Sequence, residues 1–298
     1  MDEWHLARRP AGACRVVVTP NVDHVVRLHQ EDRAELWEAY RSADLTLADG
    51  MPIVAAANLL RRPLPERVPG SDLAPALFAA ATADRPLRVF LLGAAPGVAD
   101  TAAARIAKRF RHASVVGTCC PPLGFQDDPG ECEKIERAVA AAQPDVLIVG
   151  LGFPKQELWV HRHRERLECA AALCVGATID FLAGNRARAP RLVGALGLEW
   201  AFRMASEPRR LAGRYLNDLA SFPGLLLAEL RGDLAVAPPR AVWTMPVRPD
   251  ERPNAPAAAA TQPVLEAQVE TEAEMPSELG LTDSFPPTNE AEPTTPQR

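Results

Sequence analysis

Residues 145–159 (DVLIVGLGFPKQELW) combine a predicted strand, a glycine turn and a predicted helix whose first turn contains Pro154 and Gln156. A parallel strand that ends in such a turn leaves the free N–H groups of the next helix above the sheet, where they can bind a phosphate. Many strand-to-helix turns bind nothing, so this run alone leaves both readings open. Gln156 can donate and accept hydrogen bonds, which suits sugar hydroxyls; a place on the helix surface is the alternative.

Further side chains that could do chemistry follow other predicted strands. Asp49 ends the run DLTLAD and precedes the helical run MPIVAAANLL. Its carboxylate could act as a base, since partial burial raises the pKa of an acid, or it could cap the next helix. Arg67, followed by Pro-Gly-Ser, could balance a phosphate charge or form only a surface ion pair. The remaining polar and glycine residues at predicted strand ends are Thr19, Asn21, Gly93 and Gly152.

The elements that must position these residues alternate along the chain. Short apolar runs predict strands at 15–19, 44–48, 87–93, 113–117, 145–150 and 171–177. Helical spacing lies between them, at 22–42, 51–60, 71–83, 97–110, 130–142 and 155–167. Near-continuous apolar strands separated by helices predict an α/β fold, a Rossmann-like parallel sheet covered by helices on both faces. Ligands of such sheets bind at the carboxyl ends of the strands.

Several classes of protein are disfavoured. The turns LGAAPG and GLGFPKQ lack the third glycine of the dinucleotide fingerprint, which argues against an NAD enzyme. Asp127 and Asp128 lie in a Pro/Gly-rich loop that is typical of a solvated turn, and the six cysteines form no CxxC pair. We therefore expect reduced thiols, no metal and no cofactor.

Composition divides the chain. Residues 235–298 contain 12 of the 29 prolines and four arginines against ten acidic residues, which predicts a disordered, Pro-rich acidic tail. Residues 1–13 are interpreted as an N-terminal extension without a signal sequence, and 14–195 as the catalytic domain. No window approaches the ~18 apolar residues of a membrane span. We expect a cytoplasmic protein.

The segment 184–231 carries eight arginines against four acidic residues, interleaved with large apolar and aromatic side chains such as Trp200 and Tyr215. This mixture predicts a basic helical appendage, residues 196–234, that lies on an anionic membrane or closes over the site as a lid. A packed helical subdomain with a solvated basic face is the alternative. Nucleic-acid binding is disfavoured, because lysine is nearly absent and no reader motif is present.

The ordered motifs resemble one family over about residues 14–231. They are TPN, ADGMPIV, ERVPGSDL, FLLGAAPGV, GLGFPKQELW, GATIDFLAGNRARAP and GLEWAFRMASEPRRLAGRYL. The chain is similar to the WecG/TagA/CpsF glycosyltransferases, family 26. The resemblance implies inverting, metal-independent transfer of an N-acetylmannosamine-type sugar from a UDP donor to N-acetylglucosamine on a polyprenyl diphosphate. It also implies that Asp49 is the general base, that Thr19, Asn21, Arg67 and Gln156 match active-site positions, and that the basic appendage helps to close the site at the membrane.

The predicted site follows from these arguments together. We expect catalytic roles for Asp49, Thr19 and Arg67, and substrate binding by Asn21, Gly93, Gly152, Gln156, Arg203, Arg210 and Arg214. The expected partners are the UDP-sugar, the lipid-linked acceptor, an anionic membrane surface at the inner face of the cell membrane and a second copy of the chain. Two alternatives stay open: an exopolysaccharide transferase for glucose, another hexose or a uronic acid, and a non-catalytic nucleotide-sugar-binding scaffold.

Overall fold

A computed structural model describes residues 14–30, 34–186 and 199–234 of the 298-residue chain, apart from the side chains of Glu199, Arg203 and Arg210. The predicted N-terminal extension and the predicted disordered tail lie outside these residues.

Six strands form one sheet in the order β2-β1-β6-β5-β3-β4, and all neighbouring strands are parallel. The strands are β1 (Arg15–Val18), β2 (Leu45–Thr46), β3 (Leu87–Gly93), β4 (Ala113–Cys119), β5 (Val146–Gly150) and β6 (Ala171–Cys174). Side chains alternate between the two faces: Val16 and Val18 enter one core, and Val17 enters the other. The predicted parallel sheet is confirmed.

Helices cover both faces, as predicted. They are α1 (Val22–Gln30), α2 (Ala34–Arg41), α3 (Met51–Leu59), α4 (Gly70–Ala80), α5 (Val98–Arg109), α6 (Pro129–Ala142), α7 (Lys155–His163), α8 (Thr178–Ala183), α9 (Glu199–Ser206) and α10 (Pro208–Arg231). A short 3-10 helix, Phe125–Asp127, precedes α6. Helices α1, α2, α6 and α7 pack on one core, and α4, α5 and α8 pack on the other.

The helices that follow neighbouring strands lie on opposite faces of the sheet, and two of these pairs of strands carry the predicted site residues. The helices α1 and α8 follow the adjacent strands β1 and β6, and α7 and α5 follow the adjacent strands β5 and β3. Such switch points leave a crevice above the carboxyl ends of the strands. The residues that the sequence singles out in the sheet domain lie at or beside these ends.

The helices α9 and α10 form the predicted helical appendage. The helix α10 packs along α1, where Gln30 Nε2 donates to Asn217 Oδ1 (3.2 Å) and to Ser221 Oγ (2.8 Å). Among the described residues, no helix is both long and apolar enough to cross a bilayer. The boundary between the catalytic domain and the appendage, at residues 195–196, lies outside the described ranges and stays a prediction.

Candidate active site

The end of β1 supplies the first two predicted site residues. Thr19 is buried, and its Oγ1 donates to the backbone oxygen of Cys174 at the end of β6 (3.0 Å). This bond ties together the two strands of one switch point. Asn21 caps α1, since its Oδ1 accepts from the backbone N–H of His24 (3.3 Å). Both side chains therefore define the shape of the crevice at the end of β1.

Asp49 lies beside the end of β1. Its backbone N–H donates to the oxygen of Pro20 (2.9 Å), and the oxygen of the preceding residue, Ala48, accepts from Val68 N–H (2.9 Å). These bonds place Asp49 between the Thr-Pro-Asn segment and the chain that carries Arg67. The half-buried Asp49 precedes the N-cap residue of α3, which is Gly50 at φ 137°. Asp49 is thus not itself the cap residue of α3.

Arg67 is held close by the start of α4. A Cβ at Gly70 would lie 2.6 Å from Val175 Cβ, so the absence of a side chain lets α4 begin directly against the end of β6. The Arg67 side chain is only 19% exposed, and its Nη2 lies 3.9 Å from Asp72 Oδ2. This guanidinium is more shielded than the surface ion pair that the sequence allowed. We call Thr19, Asn21, Asp49 and Arg67 the β1–β2 rim.

The two glycine turns meet at the other switch point. Gly93 has φ 110°, and a Cβ there would lie 2.6 Å from the oxygen of Gly150, so the ends of β3 and β5 approach more closely than a side chain permits. Gly152 has φ 79°, and a Cβ there would meet open space, so this position favours glycine for its backbone conformation and not for lack of room. A cis Phe153–Pro154 bond follows it and leads into α7.

Gln156 is buried, with both polar atoms of its side chain bound by protein. Its Oε1 accepts from Gly176 N–H (3.1 Å), and its Nε2 donates to Glu157 Oε1 (2.9 Å). The amide therefore joins the turn after β5 to the turn after β6. The sequence predicted a sugar contact for this residue, and the contacts seen here are those of a brace.

Glu157 is a residue that the sequence interpretation missed. Its side chain is buried, burial raises its pKa to about 7, and its Oε2 has no hydrogen-bond partner among the described residues. An acid in the first turn of a helix usually indicates a surface charge favoured by the helix dipole, so the sequence gives no sign of this burial. The burial results from the packing of α7 against α2 and against the strands β1 and β6.

An aromatic wall lies beside Glu157. His24 Nδ1 is 2.9 Å from the Tyr40 hydroxyl, and the His24 ring stacks on Phe153 with centroids 4.1 Å apart. The Arg27 guanidinium lies 4.9 Å from the centre of the Phe153 ring. Burial, with help from nearby arginines, lowers the pKa of His24 to about 3, so this ring is neutral at physiological pH. We call His24, Tyr40, Phe153, Gln156 and Glu157 the α7 bracket.

Arg214 connects the appendage to the rim. Its Nη2 lies 3.0 Å from Asp23 Oδ2 and 3.4 Å from Asn21 Oδ1. Asp218, one turn further along α10, is buried, and burial together with the charge of Asp23 raises its pKa to about 6. The structure therefore brings Arg214 together with Asn21. Arg203 and Arg210 lie on α9 and α10, but their side chains are outside the described residues.

Among the described residues, no group of three His, Cys, Asp or Glu side chains has the spacing of a metal site. The rim and the docked helix α10 together offer the Asp49 carboxylate, the guanidinium groups of Arg67 and Arg214, and strand ends fixed by backbone hydrogen bonds. These groups can move one proton and balance negative charge on an oxygen that leaves.

Comparison with known proteins agrees with this reading. A family model described as "Glycosyl transferase WecG/TagA/CpsF family" matches residues 2–234. The chain is 31% identical over 223 residues to an N-acetylglucosaminyldiphosphoundecaprenol N-acetyl-beta-D-mannosaminyltransferase of Bacillus spizizenii, covering 75% of this chain and 81% of that protein. It is 29% identical over 200 residues to a protein of the same name from Staphylococcus aureus strain MW2, covering 66% of this chain and 73% of that protein.

Proposed function

The chain belongs to the WecG/TagA/CpsF family of glycosyltransferases, and on this premise we propose that it moves N-acetylmannosamine, or a related sugar, from a UDP donor to N-acetylglucosaminyl-diphospho-polyprenol. The names of the relatives support both the sugar and the lipid-linked acceptor. We further propose that the reaction inverts the anomeric centre and needs no metal ion.

One observation carries the mechanism. Asp49 is the carboxylate of the β1–β2 rim. Backbone hydrogen bonds of Asp49 and of the preceding residue, Ala48, hold it between the end of β1 and the segment that carries Arg67. An inverting transfer by direct displacement needs one base on the side of the sugar opposite the leaving group. The Asp49 carboxylate, with an arginine on the neighbouring segment, is proposed to meet that need.

The proposed step transfers one proton and one glycosyl group. Asp49 accepts the proton of an acceptor hydroxyl while that oxygen forms a bond to the anomeric carbon of the donor sugar. The bond from the anomeric carbon to the β-phosphate oxygen breaks, and its electron pair leaves with UDP. Arg67 and Arg214 are proposed to stabilise the new negative charge, which their positions at the rim support. Metal independence rests on these cations taking the role that a divalent ion plays elsewhere.

The other predicted site residues position the substrates in this proposal. Thr19 fixes the end of β1 against β6, Asn21 orients Arg214, and Gln156 braces the turns after β5 and β6. The backbone at Gly93 and Gly152 lines the turns where the nucleoside diphosphate is expected. Arg203 and Arg210 remain expected substrate-binding residues.

The appendage is proposed to act at the membrane. A polyprenyl acceptor is held in a bilayer, so an enzyme that uses it must work at the bilayer surface. The relatives act, by name, on an undecaprenol-linked substrate, which supports peripheral association with the inner face of the cell membrane. Through the pair of Arg214 and Asp23, the docked α10 helix is proposed to cover the rim and exclude water during transfer.

A donor panel tests the proposal directly. Purified protein is incubated with a set of UDP-sugars and a short-chain lipid-diphosphate N-acetylglucosamine, and the product is weighed by mass spectrometry. We expect a mass gain of one N-acetylhexosamine with UDP-N-acetylmannosamine, unchanged by EDTA. Transfer of a different sugar would correct the donor, and loss of activity in EDTA with recovery in magnesium would contradict metal independence. Binding of a UDP-sugar without transfer to any acceptor would favour the scaffold alternative.

A further inference from the structure

The helix α3, which begins two residues after Asp49, is unusually apolar for an exposed helix. Its nine residues, MPIVAAANL, include no charge, and Val54 alone among them is buried. Met51 is 42% exposed and Leu59 is 56% exposed. A helix on the surface of a soluble domain normally turns charged or polar side chains outward. The outer face of α3 therefore carries no charge, and Asn58 is its one exposed side chain that can form hydrogen bonds.

The helix α10 continues this apolar surface. Leu216, Leu219, Leu227 and Leu230 are between 47% and 73% exposed. Their spacing of three, eight and three residues keeps them on one stripe of the helix, roughly 20 Å long at about 1.5 Å per residue. The opposite side of α10, which carries the buried Asp218, packs on α1. The leucine stripe therefore faces away from α1.

The two apolar faces meet at one end. A shallow recess is lined by Leu59 and Leu60 of the α3 end and by Leu230 of α10, and Arg62 Nη1 pairs with Glu229 Oε1 across it (3.4 Å). We call Met51, Leu59, Leu216, Leu219, Leu227 and Leu230 the α3–α10 apolar surface. Since α3 starts at the proposed base, this surface runs from the edge of the active site to the appendage.

We propose that the α3–α10 apolar surface docks onto an anionic lipid bilayer, with α3 as a lipid-contacting helix of its own. Exposed arginines border the recess: Arg61 and Arg62 line it, and Arg231 follows Leu230, while Glu229 already pairs with Arg62. Leucines with arginines at their border are the composition of a helix that lies in a bilayer interface. Two copies of the chain docked through this surface would bring like charges together, which disfavours a self-interface.

The proposal deepens the proposed function and rests on it, because the choice of a bilayer follows in part from a polyprenyl-linked acceptor. It gives α3 a physical role. With α3 in the interface, the hydroxyl of a membrane-held acceptor reaches Asp49 without the lipid leaving the bilayer. The helix α3 begins two residues after Asp49, whereas α10 reaches the rim through the side chain of Arg214.

Vesicle flotation of the full chain tests the surface. Met51→Gln combined with Leu59→Gln should reduce the fraction retained on vesicles of equal phosphatidylglycerol and phosphatidylcholine at least five-fold. The matched control is Leu123→Gln, which alters a 98% exposed leucine after β4, at the opposite edge of the sheet from β2, and should leave retention unchanged. Thermal melting verifies that both variants are folded.

Three results would overturn the proposal. They are unchanged flotation of the α3 variant, equal retention of the wild type on pure phosphatidylcholine, and sedimentation showing that the variant changes only self-association. Turnover of a water-soluble, short-chain acceptor separates the two proposals. The α3 variant should keep that turnover within about two-fold, whereas a wild-type protein that floats but never transfers sugar would refute the proposed function and leave the docking surface standing.

Discussion

The β1–β2 rim and the α7 bracket are both rich in polar side chains, yet they differ in what those groups do. In the bracket, Gln156 and Glu157 are nearly completely buried and bind each other and a neighbouring turn. In the rim, Asp49 is half-buried, and the Arg67 guanidinium is partly accessible, with its Nη2 3.9 Å from Asp72 Oδ2. Polar density alone therefore does not mark the reacting groups. We propose that partial access to the crevice does, and each prediction below tests this distinction.

The largest expected effect comes from Asp49→Asn. Loss of a general base should lower kcat by about 10²- to 10⁴-fold with little change in KM, because the amide cannot accept the proton. The free energy of unfolding should change by less than about 1 kcal/mol, since the side chain is half-buried. Steady-state kinetics and urea unfolding measure the two quantities. Near-normal transfer by the folded variant would remove Asp49 from its proposed role.

Gln156→Ala should act mainly on stability. The change leaves Gly176 N–H and one oxygen of Glu157 without their partner in a buried place, at a cost of about 2–4 kcal/mol in urea unfolding. Lys155→Ala, at an exposed neighbouring position, is the control and should cost little. If Gln156→Ala instead kept full stability and lost transfer, the bracket would be a substrate site and the distinction would fail.

Glu157→Gln should change the pH dependence of stability. Because burial raises the folded-state pKa to about 7, the folded protein holds a proton that the unfolded chain loses near pH 4.5. This group therefore contributes its full stabilisation to the wild type below about pH 4.5. The contribution, at most about 3 kcal/mol, is lost as the pH rises through about 7. The difference between the urea stabilities of variant and wild type at pH 5 and pH 7.5 isolates the effect. A pH-independent difference would refute the buried proton.

Arg214→Met should loosen the appendage more than the rim. The variant leaves the carboxylate of Asp23 buried without its partner, so local opening of α10 should become easier by about 1 kcal/mol, or about five-fold. Hydrogen exchange of the α10 amides measures this opening. Arg209→Met, at an exposed position of the same helix, is the control. Equal protection in the two variants would mean that the pair with Asp23 does not hold the appendage.

The smallest expected effect concerns Asp218→Asn. Burial and the charge of Asp23 raise the pKa of Asp218 to about 6, so docking of α10 is favoured below the normal pKa of an aspartate and weakened as pH rises through about 6. The asparagine variant should lack this weakening and show slower exchange of the α10 amides than the wild type at pH 7.5. Faster exchange at that pH would show that the charged form is the one that docks.

The sequence predicted the sheet domain well where short-range patterns decide the structure. The run 87–93 is β3 to the residue, because a buried central strand is continuously apolar. The predicted strand 44–48 shrinks to Leu45–Thr46, since an edge strand pairs on one side only. The predicted helix 22–42 corresponds to α1 and α2, which are separate helices on either side of residues 31–33.

The site was predictable in position but not in role. Spacing placed Gln156 in the first turn of a helix, yet could not show which way the side chain lies, and the structure turns it inward. The pKa of Glu157 depends on burial against α2, β1 and β6, and the pair of Arg214 and Asp23 joins residues 191 positions apart. Contacts of this range leave no local pattern. The family resemblance supplied the expected roles, and the contacts now distinguish bracing residues from exposed ones.

The tight meeting of Gly70 and Val175 has an evolutionary consequence. No methyl group fits between them, and because the nearest atom is the Cβ of Val175, any relative with alanine at the position of Gly70 should carry glycine at the position of Val175. Otherwise the start of α4 must shift outward and take Arg67 with it. The two positions should therefore vary together across homologues, although neither one touches a reacting atom.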